Sequence, residues 1–243
     1  MNPLSWREMP LIFMYHSVAR EEEDPNKLCV SPERFSTQMA WLERHGLRGV
    51  SVTNLLAALR GGKAGRLVGI TFDDGYRSVL DAALPVLRKH GFGATAFVLS
   101  DPVAPESTWD EGTSWPLLTE EEIHELADGG VEIGSHGATH TRLPGLSAGQ
   151  LHAEVVESRS ALSELTKREV CGFAYPFGAM DDATRSAVAT AGYAYACAVS
   201  TPYGGLSMMA LPRAYVGEDD GALELSLKRR LHKFNSIWKG RSE

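Results

Sequence analysis

At 243 residues, 43% hydrophobic and 23% charged, the chain has the make-up of an ordinary soluble globular protein and the length of one large α/β domain or two small ones. A formal net charge of −7 argues against a general nucleic-acid binder, which needs a basic face for phosphates, and against a polybasic membrane patch, although a local patch can hide inside an acidic total. Three widely spaced cysteines, Cys29, Cys171 and Cys197, with no CxxC pair, indicate neither a disulfide framework nor a zinc-thiolate knuckle; Cys171 and Cys197 lie in apolar runs and read as small buried hydrophobes.

The residues ahead of Leu11 contain no signal-peptide core, and no run approaches the length of a membrane span, so the expectation is a cytoplasmic protein without a transmembrane segment. Residues 11–15 form the first strand candidate. The acidic run Glu21-Glu22-Glu23-Asp24 reads as a solvated loop. Ser31-Pro32-Glu33 opens a helix, with Ser as N-cap and Pro at the first helical position, and Phe35, Met39 and Leu42 mark its buried stripe. Strand candidates follow at 68–72 and 94–99. Thr119-Glu-Glu-Glu122 is a capping box, then comes a strand at 131–134. Ser147-Ala-Gly-Gln150 is a second capping box, leading a long helix with Leu151, Val155, Ala161, Leu162 and Leu165 to about Lys167. Strands at 172–175 and 193–199 and a weaker one at 210–216 complete the series.

These runs are almost continuously apolar, as in parallel strands covered on both faces. Strand alternating with helix means βαβ units. The expectation is a single α/β domain over residues 1–243, either a closed or nearly closed (β/α) barrel or a doubly wound sheet. In either case chemistry belongs at the C-terminal ends of the strands.

Those ends are rich in polar groups: Tyr15-His16-Ser17, Thr71-Phe72-Asp73-Asp74-Gly75-Tyr76, Ser135-His136-Gly-Ala-Thr-His140 and Tyr175-Pro176-Phe177-Gly178. Adjacent carboxylates raise the pKa of one of the pair, and a bound cation removes that penalty. On a helical turn, His136 and His140 present both imidazoles on one face. Two histidines and one carboxylate make a three-ligand site with room for water and substrate, and the second aspartate is free to act as general base. Asp-Asp-Gly alone is often only a turn, and a lone His-x-x-x-His is common on helices. Together, after apolar strands, they favour a metal site.

The Thr71–Tyr76 and Ser135–His140 segments resemble the first two motifs of the polysaccharide deacetylase family (carbohydrate esterase family four, the nodulation-deacetylase homology domain). The resemblance extends from Leu11-Ile-Phe-Met-Tyr-His16 through Phe173-Ala-Tyr-Pro-Phe-Gly178 to Leu211-Pro-Arg213. It implies a distorted (β/α) barrel of about seven parallel strands and a divalent metal, usually zinc, with cobalt or nickel as alternatives. Carried over by position, Asp74, His136 and His140 are the metal ligands and Asp73 is the base. The 173–178 segment resembles the third motif, which places Phe177 N–H at the oxyanion and Tyr175 and Pro176 beside the substrate.

The sequence departs from the family pattern in two places. Ala174 stands where an arginine often pairs with the base, and Arg213 is the alternative source of that guanidinium, with an ordinary surface arginine as the competing reading. The Leu-x-His motif that supplies the general acid is missing. His232 has the wrong context, and His16, on the correct rim, is the preferred acid or substrate-binding group. Trp109 and Trp115 either stack on sugar rings or pin their loop, and Trp41 and Trp238 read as packing residues. The expected activity is hydrolysis of an N-acetyl group on an amino sugar in a polysaccharide or glycan precursor. Alternatives are an O-acetyl, formamide or cyclic imide substrate, or a carbohydrate-binding pseudoenzyme. The expected partner is an acetylated carbohydrate and not a nucleic acid.

Overall fold

The computed structural model describes residues 9–101, 105–109, 114–199 and 207–239, with side chains described as far as His232. The side chain of Trp238 therefore lies outside the described residues. In chain order the strands are β1 (Ile12–Tyr15), β2 (Ser17–Val18), β3 (Cys29–Val30), β4 (Arg48–Val50), β5 (Leu67–Phe72), β6 (Thr95–Val98), β7 (Glu132–Ser135), β8 (Gly172–Ala174), β9 (Tyr195–Ala198), β10 (Leu211–Pro212) and β11 (Ala214–Tyr215). The helices are α1 (Pro32–Arg44), α2 (Val52–Arg60), α3 (Leu84–His90), α4 (Glu120–Asp128), α5 (Ala148–His152), α6 (Ser158–Thr166), α7 (Asp182–Thr190) and α8 (Ala222–Lys239). A π-helical turn at Ala153–Glu157 joins α5 to α6, so the helix led by Ser147 is continuous to Thr166 and ends at left-handed Lys167, φ 52°. Ser31, Thr119 and Ser147 all cap as their sequence positions predict.

The main sheet is parallel, in the order β10-β9-β8-β7-β6-β5-β1-β11. Its two edges are successive pieces of chain. β10 pairs with β9 (Leu211 opposite Cys197), β11 pairs with β1 (Ala214 opposite Phe13), and only Arg213 lies between them. One short strand thus changes partner at Arg213 and nearly closes the sheet into a barrel. The weak strand candidate at 210–216 is this broken closing strand. β4 is an eighth position that the sequence does not reveal. Its three residues, Arg-Gly-Val, pair with the first half of β5, whereas β6 pairs with the second half.

Alternate strand residues face in and out. Phe13, Ile70, Phe72, Ala96, Val98 and Phe173 pack outward under the helices with Phe35, Met39 and Leu42 of α1, all at 0–1% exposure. Ile12, Phe97, Ala174, Tyr195, Cys197 and Leu211 fill the barrel, which Val52, Leu55 and Leu56 of α2 plug at the N-terminal end. Burying each large side chain is worth roughly 1.5–3 kcal/mol, so this double layer fixes the strand register. Gly134 and Gly172 make space for it: a Cβ on either would lie 2.5 Å or less from the rings of Phe97 and Tyr195 respectively. The Glu132 carboxylate, at the barrel's closed end, accepts bonds from Thr53 N–H, Thr53 Oγ1, Thr95 Oγ1 and Tyr195 O–H, and so ties α2 to the sheet.

Two expectations change, and that for Trp41 stands. Cys197 is buried as expected, but Cys171 is half-exposed because it precedes β8 at the barrel's edge. Glu21, Glu22 and Glu23 are solvated, whereas Asp24 accepts bonds from Leu28 N–H and Cys29 N–H at 2.8 Å each and turns the chain into β3. Trp41 is a packing residue, 3% exposed and stacked on His45. Among the described residues no helix is long and apolar enough to cross a membrane.

Candidate active site

Asp73 and Asp74 follow β5 at the C-terminal rim. Asp73 extends the ladder, its N–H donating to Tyr15 O at 3.0 Å. Asp74 and Gly75 then take φ of 72° and 74°, a left-handed pair that turns the second carboxylate away from the first. Asp74 therefore points towards the loop after β7. There His136 N–H donates to Val98 O at 2.8 Å, and its Nδ1 bonds Ala174 O at 2.8 Å, which leaves Nε2 directed at Asp74.

His136 Nε2 and His140 Nε2 lie 3.1 and 3.3 Å from the same Asp74 Oδ1. All three side chains are buried, and their ligand atoms fall within 4.8 Å of one another. Donors held about 2.1 Å from one ion at 90–110° are separated by about 3.0–3.4 Å, so the spacing suits a shared divalent cation. Burial opposes charge on Asp74 and would raise its pKa, but the bonds from His136 and His140 outweigh it and hold the carboxyl well below its usual range. Burial likewise lowers His136, and Asp74 and Asp73 more than restore it, so its pKa is raised. The cluster is thus a charge arrangement that protons or a cation must compensate.

The histidines are not on a helical turn. Residues 136–140 form a loop in which Gly137 has φ 88° and His140 φ 62°. The i, i+4 spacing is that of a helix, but the left-handed residues curl the chain so that two Nε2 atoms meet one oxygen.

Asp73, 3% exposed, is clamped by Arg213, with Nη1 on Oδ1 and Nη2 on Oδ2, both at 2.6 Å. Arg213 also donates to Thr71 Oγ1 and to Ala198 O and lies over the Phe97 ring, so this buried guanidinium is satisfied on all sides. The guanidinium absent at Ala174 thus reaches Asp73 from the closing strand. Burial alone raises the Asp73 pKa, and the charge and bonds of Arg213 more than reverse this, holding it below the usual carboxylate value.

A cavity of about 140 Å³ opens over these groups, lined also by His16, Trp109, Tyr175, Phe177 and Val199. His16 follows β1, as its position predicts, and its Nδ1 is buried without a hydrogen-bond partner among the described residues. Trp109 stacks on His140, with centroids 4.2 Å apart and planes at 30°, and Phe177 packs on the same imidazole at 4.5 Å. Phe177, at φ 57°, is 42% exposed on the rim. Tyr175 donates from its hydroxyl to Met209 O, and Pro176 lies buried behind Gly137. Trp115 is not at the site. It is 7% exposed, edge-on to Tyr76 at 5.3 Å, and pins its loop through an apolar cluster with Leu99 and Leu117.

Sequence reasoning missed Glu154. From the π turn its Oε2 accepts Ala138 N–H at 2.7 Å and Thr139 N–H at 3.2 Å, while Oε1 accepts Thr139 Oγ1–H. It holds the backbone between the two histidines. The available signal was a charged residue on a buried helical stripe, between Leu151 and Val155. A larger cavity, about 350 Å³, lies at the opposite end of the barrel beside Leu11 and Leu67. His232 is there, its Nε2 2.9 Å from Met9 O, remote from the carboxylates. The smaller cavity holds the reactive groups and is the candidate site.

A model of the polysaccharide deacetylase family matches residues 60–196. YxkH of Bacillus subtilis is 31% identical over 184 residues, 75% of this chain and 61% of that protein. A poly-beta-1,6-N-acetyl-D-glucosamine N-deacetylase of Staphylococcus aureus is 26% identical over 178 residues, 68% of this chain and 59% of that one. The chain thus spans about 60% of the length of these relatives. Among solved structures, the Streptococcus pyogenes deacetylase PplD in complex with acetate superposes with a TM-score of 0.77 at 23% identity, covering 93% of this chain and 99% of that one. IcaB from Ammonifex degensii gives 0.71 at 22% identity, covering 93% and 97%. At these identities the likeness is one of fold.

Proposed function

The chain belongs to the polysaccharide deacetylase family, and from that premise we propose that it is a metal-dependent hydrolase that removes an N-acetyl group from an amino sugar. The observation that carries the reading is the placement of an Arg213-clamped Asp73 immediately beside the three-donor cluster Asp74, His136 and His140. A divalent cation held there, zinc first and cobalt or nickel next, supplies Lewis acidity towards the scissile carbonyl and acidifies a neighbouring water.

The chain's own groups do the rest. Asp73 is kept ionised by Arg213 and takes a proton from the attacking water. Its two oxygens are fixed by two N–H bonds, so the base enters the reaction already oriented. Phe177 N–H donates to the carbonyl oxygen as negative charge develops there. His16 gives a proton to the departing nitrogen. Water and amide become acetate and a free amine. Trp109 and Phe177 flank His140 and exclude water from that side of the site.

The test is acetate release from N-acetylglucosamine oligomers by the zinc-loaded protein, beside O-acetylated sugars as the ester comparison. Turnover of amides that disappears in Asp73→Asn is the expected result. Protein that carries its metal and releases no acetate from either class overturns the proposal and leaves the carbohydrate-binding reading.

A further inference from the structure

Helix α8 packs on α1 and buries Leu225, 1% exposed, on its inner side. On its outer side Leu223, Leu227 and Leu231 are 80%, 55% and 50% exposed. Four-residue steps place the three within an arc of about 80°, so they form one stripe. Single exposed leucines are ordinary on a soluble surface, but a row of three on one helix is a patch.

The helix is also basic. Its 18 residues contain Lys228, Arg229, Arg230, Lys233 and Lys239 against one acid, Glu224, in a chain whose total charge is −7. Lys228 pairs with Asp220, and Arg230, beside the leucine stripe, meets no acid among the described residues, whereas Arg229 turns inward and lines the cavity at the far end of the barrel. Docking this face on a second copy would set two cationic helices together. An anionic lipid surface complements both features, taking the leucines at the boundary of headgroups and acyl chains and the cations among the phosphates.

We infer that α8 is a membrane-surface helix through which the protein binds anionic bilayers. The connection to the site is geometric. α8 leaves the catalytic rim soon after β11 and reaches His232 beside Met9, at the far end of the barrel. A helix lying flat on the bilayer sets the barrel axis along the membrane plane. The cavity then opens sideways, level with glycans carried close to the lipid.

Vesicle sedimentation tests this without any measurement of turnover, so its outcome is separate from that of the catalytic reading. The full chain should pellet with phosphatidylcholine vesicles containing about 30% phosphatidylglycerol and much less with phosphatidylcholine alone. Binding should weaken in roughly 0.5 M salt, where exposed charges are screened. The triple variant Leu223→Ser, Leu227→Ser, Leu231→Ser should bind at least about tenfold more weakly, because the inserted apolar area supplies much of the affinity. Arg230→Gln should weaken binding to the anionic vesicles alone. A wild-type chain left in the supernatant with anionic vesicles, or a leucine variant that pellets like wild type, overturns the inference. So does a wild-type dimer that ignores vesicles and becomes a monomer in the leucine variant, since the face is then a self-interface.

Discussion

Gly137 and Glu154 are fitted to each other: a Cβ on Gly137 would stand 2.7 Å from Glu154 Oε2, and the glycine's φ is 88°. Any side chain there strains the backbone and displaces the carboxylate that holds Ala138 and Thr139. Glu154→Ala should therefore weaken zinc binding by roughly 10–100-fold, the usual cost of losing a group that orients ligands. Glu154→Gln keeps one acceptor oxygen and should retain most of the affinity, and Gly137→Ala should resemble Glu154→Ala. Competition against a chelator reads all three. Wild-type affinity in Glu154→Ala would mean that the loop holds its shape unaided.

Removing a ligand should have a larger effect. Asp74→Ala and His140→Ala should each lose nearly all bound metal, since two donors of three remain. Elemental analysis of the purified variants decides it, and stoichiometric zinc in both refutes the site.

Asp73 and Arg213 should behave as a unit. Asp73→Asn should keep its metal yet lower turnover by roughly 10²–10⁴-fold, because an amide cannot take the proton. It should also cost roughly 3–5 kcal/mol of stability, as a fully buried guanidinium loses its counter-charge. Asp73→Asn with Arg213→Met should recover much of that stability and none of the activity. Urea titration and acetate release separate the effects, and a double variant no more stable than Asp73→Asn contradicts the pairing argument.

The pair also sets a pH dependence. Burial pushes the Asp73 pKa up and Arg213 more than compensates, so the folded value lies below the unfolded one. Such a group stabilises the fold above the unfolded value, about 3.9, and this contribution is lost as pH falls through the lower folded value. In Arg213→Met the main opposing charge is gone, burial is countered only by His136 and His16, and the folded value rises. Asp73 then costs stability at neutral pH, and that cost shrinks as the pH falls. Unfolding of the metal-free proteins by urea across a pH series should show these opposite trends; parallel curves for wild type and variant would remove the linkage.

His16 should matter most where the leaving group is poorest. With Nδ1 buried and the ring in the catalytic cavity, His16→Gln should retain metal but lower amide turnover by roughly 10²–10⁴-fold. Esters expel a better leaving group and should lose less. Equal losses on both substrates would assign His16 to binding instead of proton transfer.

Much of this organisation is legible in the sequence because the barrel strands are short apolar runs that end in polar clusters. Capping residues such as Thr119 and Ser147 mark their helices by local chemistry, which needs no tertiary information. What stays hidden depends on distant partners. β4 has three residues and no hydrophobic pattern of its own, so only its pairing with β5 defines it. The loop from His136 to His140 has helical spacing without helical backbone, because its shape comes from left-handed residues and from Glu154. Trp115 reads equally as a sugar platform or a loop pin until Tyr76 is found packed against it. Arg213 reads in the sequence as either the guanidinium for Asp73 or a surface arginine, and only the partner change of the closing strand carries it inside the barrel.

That last placement bears on how the protein is made. Asp73, Asp74, His136 and His140 all emerge from the ribosome well before Leu211. The guanidinium that neutralises Asp73 arrives with the same few residues that bridge β9 and β1. A nascent or truncated chain ending before Leu211 has an open-edged sheet and an unpaired buried carboxylate. Synthesis must therefore run past the closing strand before the barrel can close around Asp73.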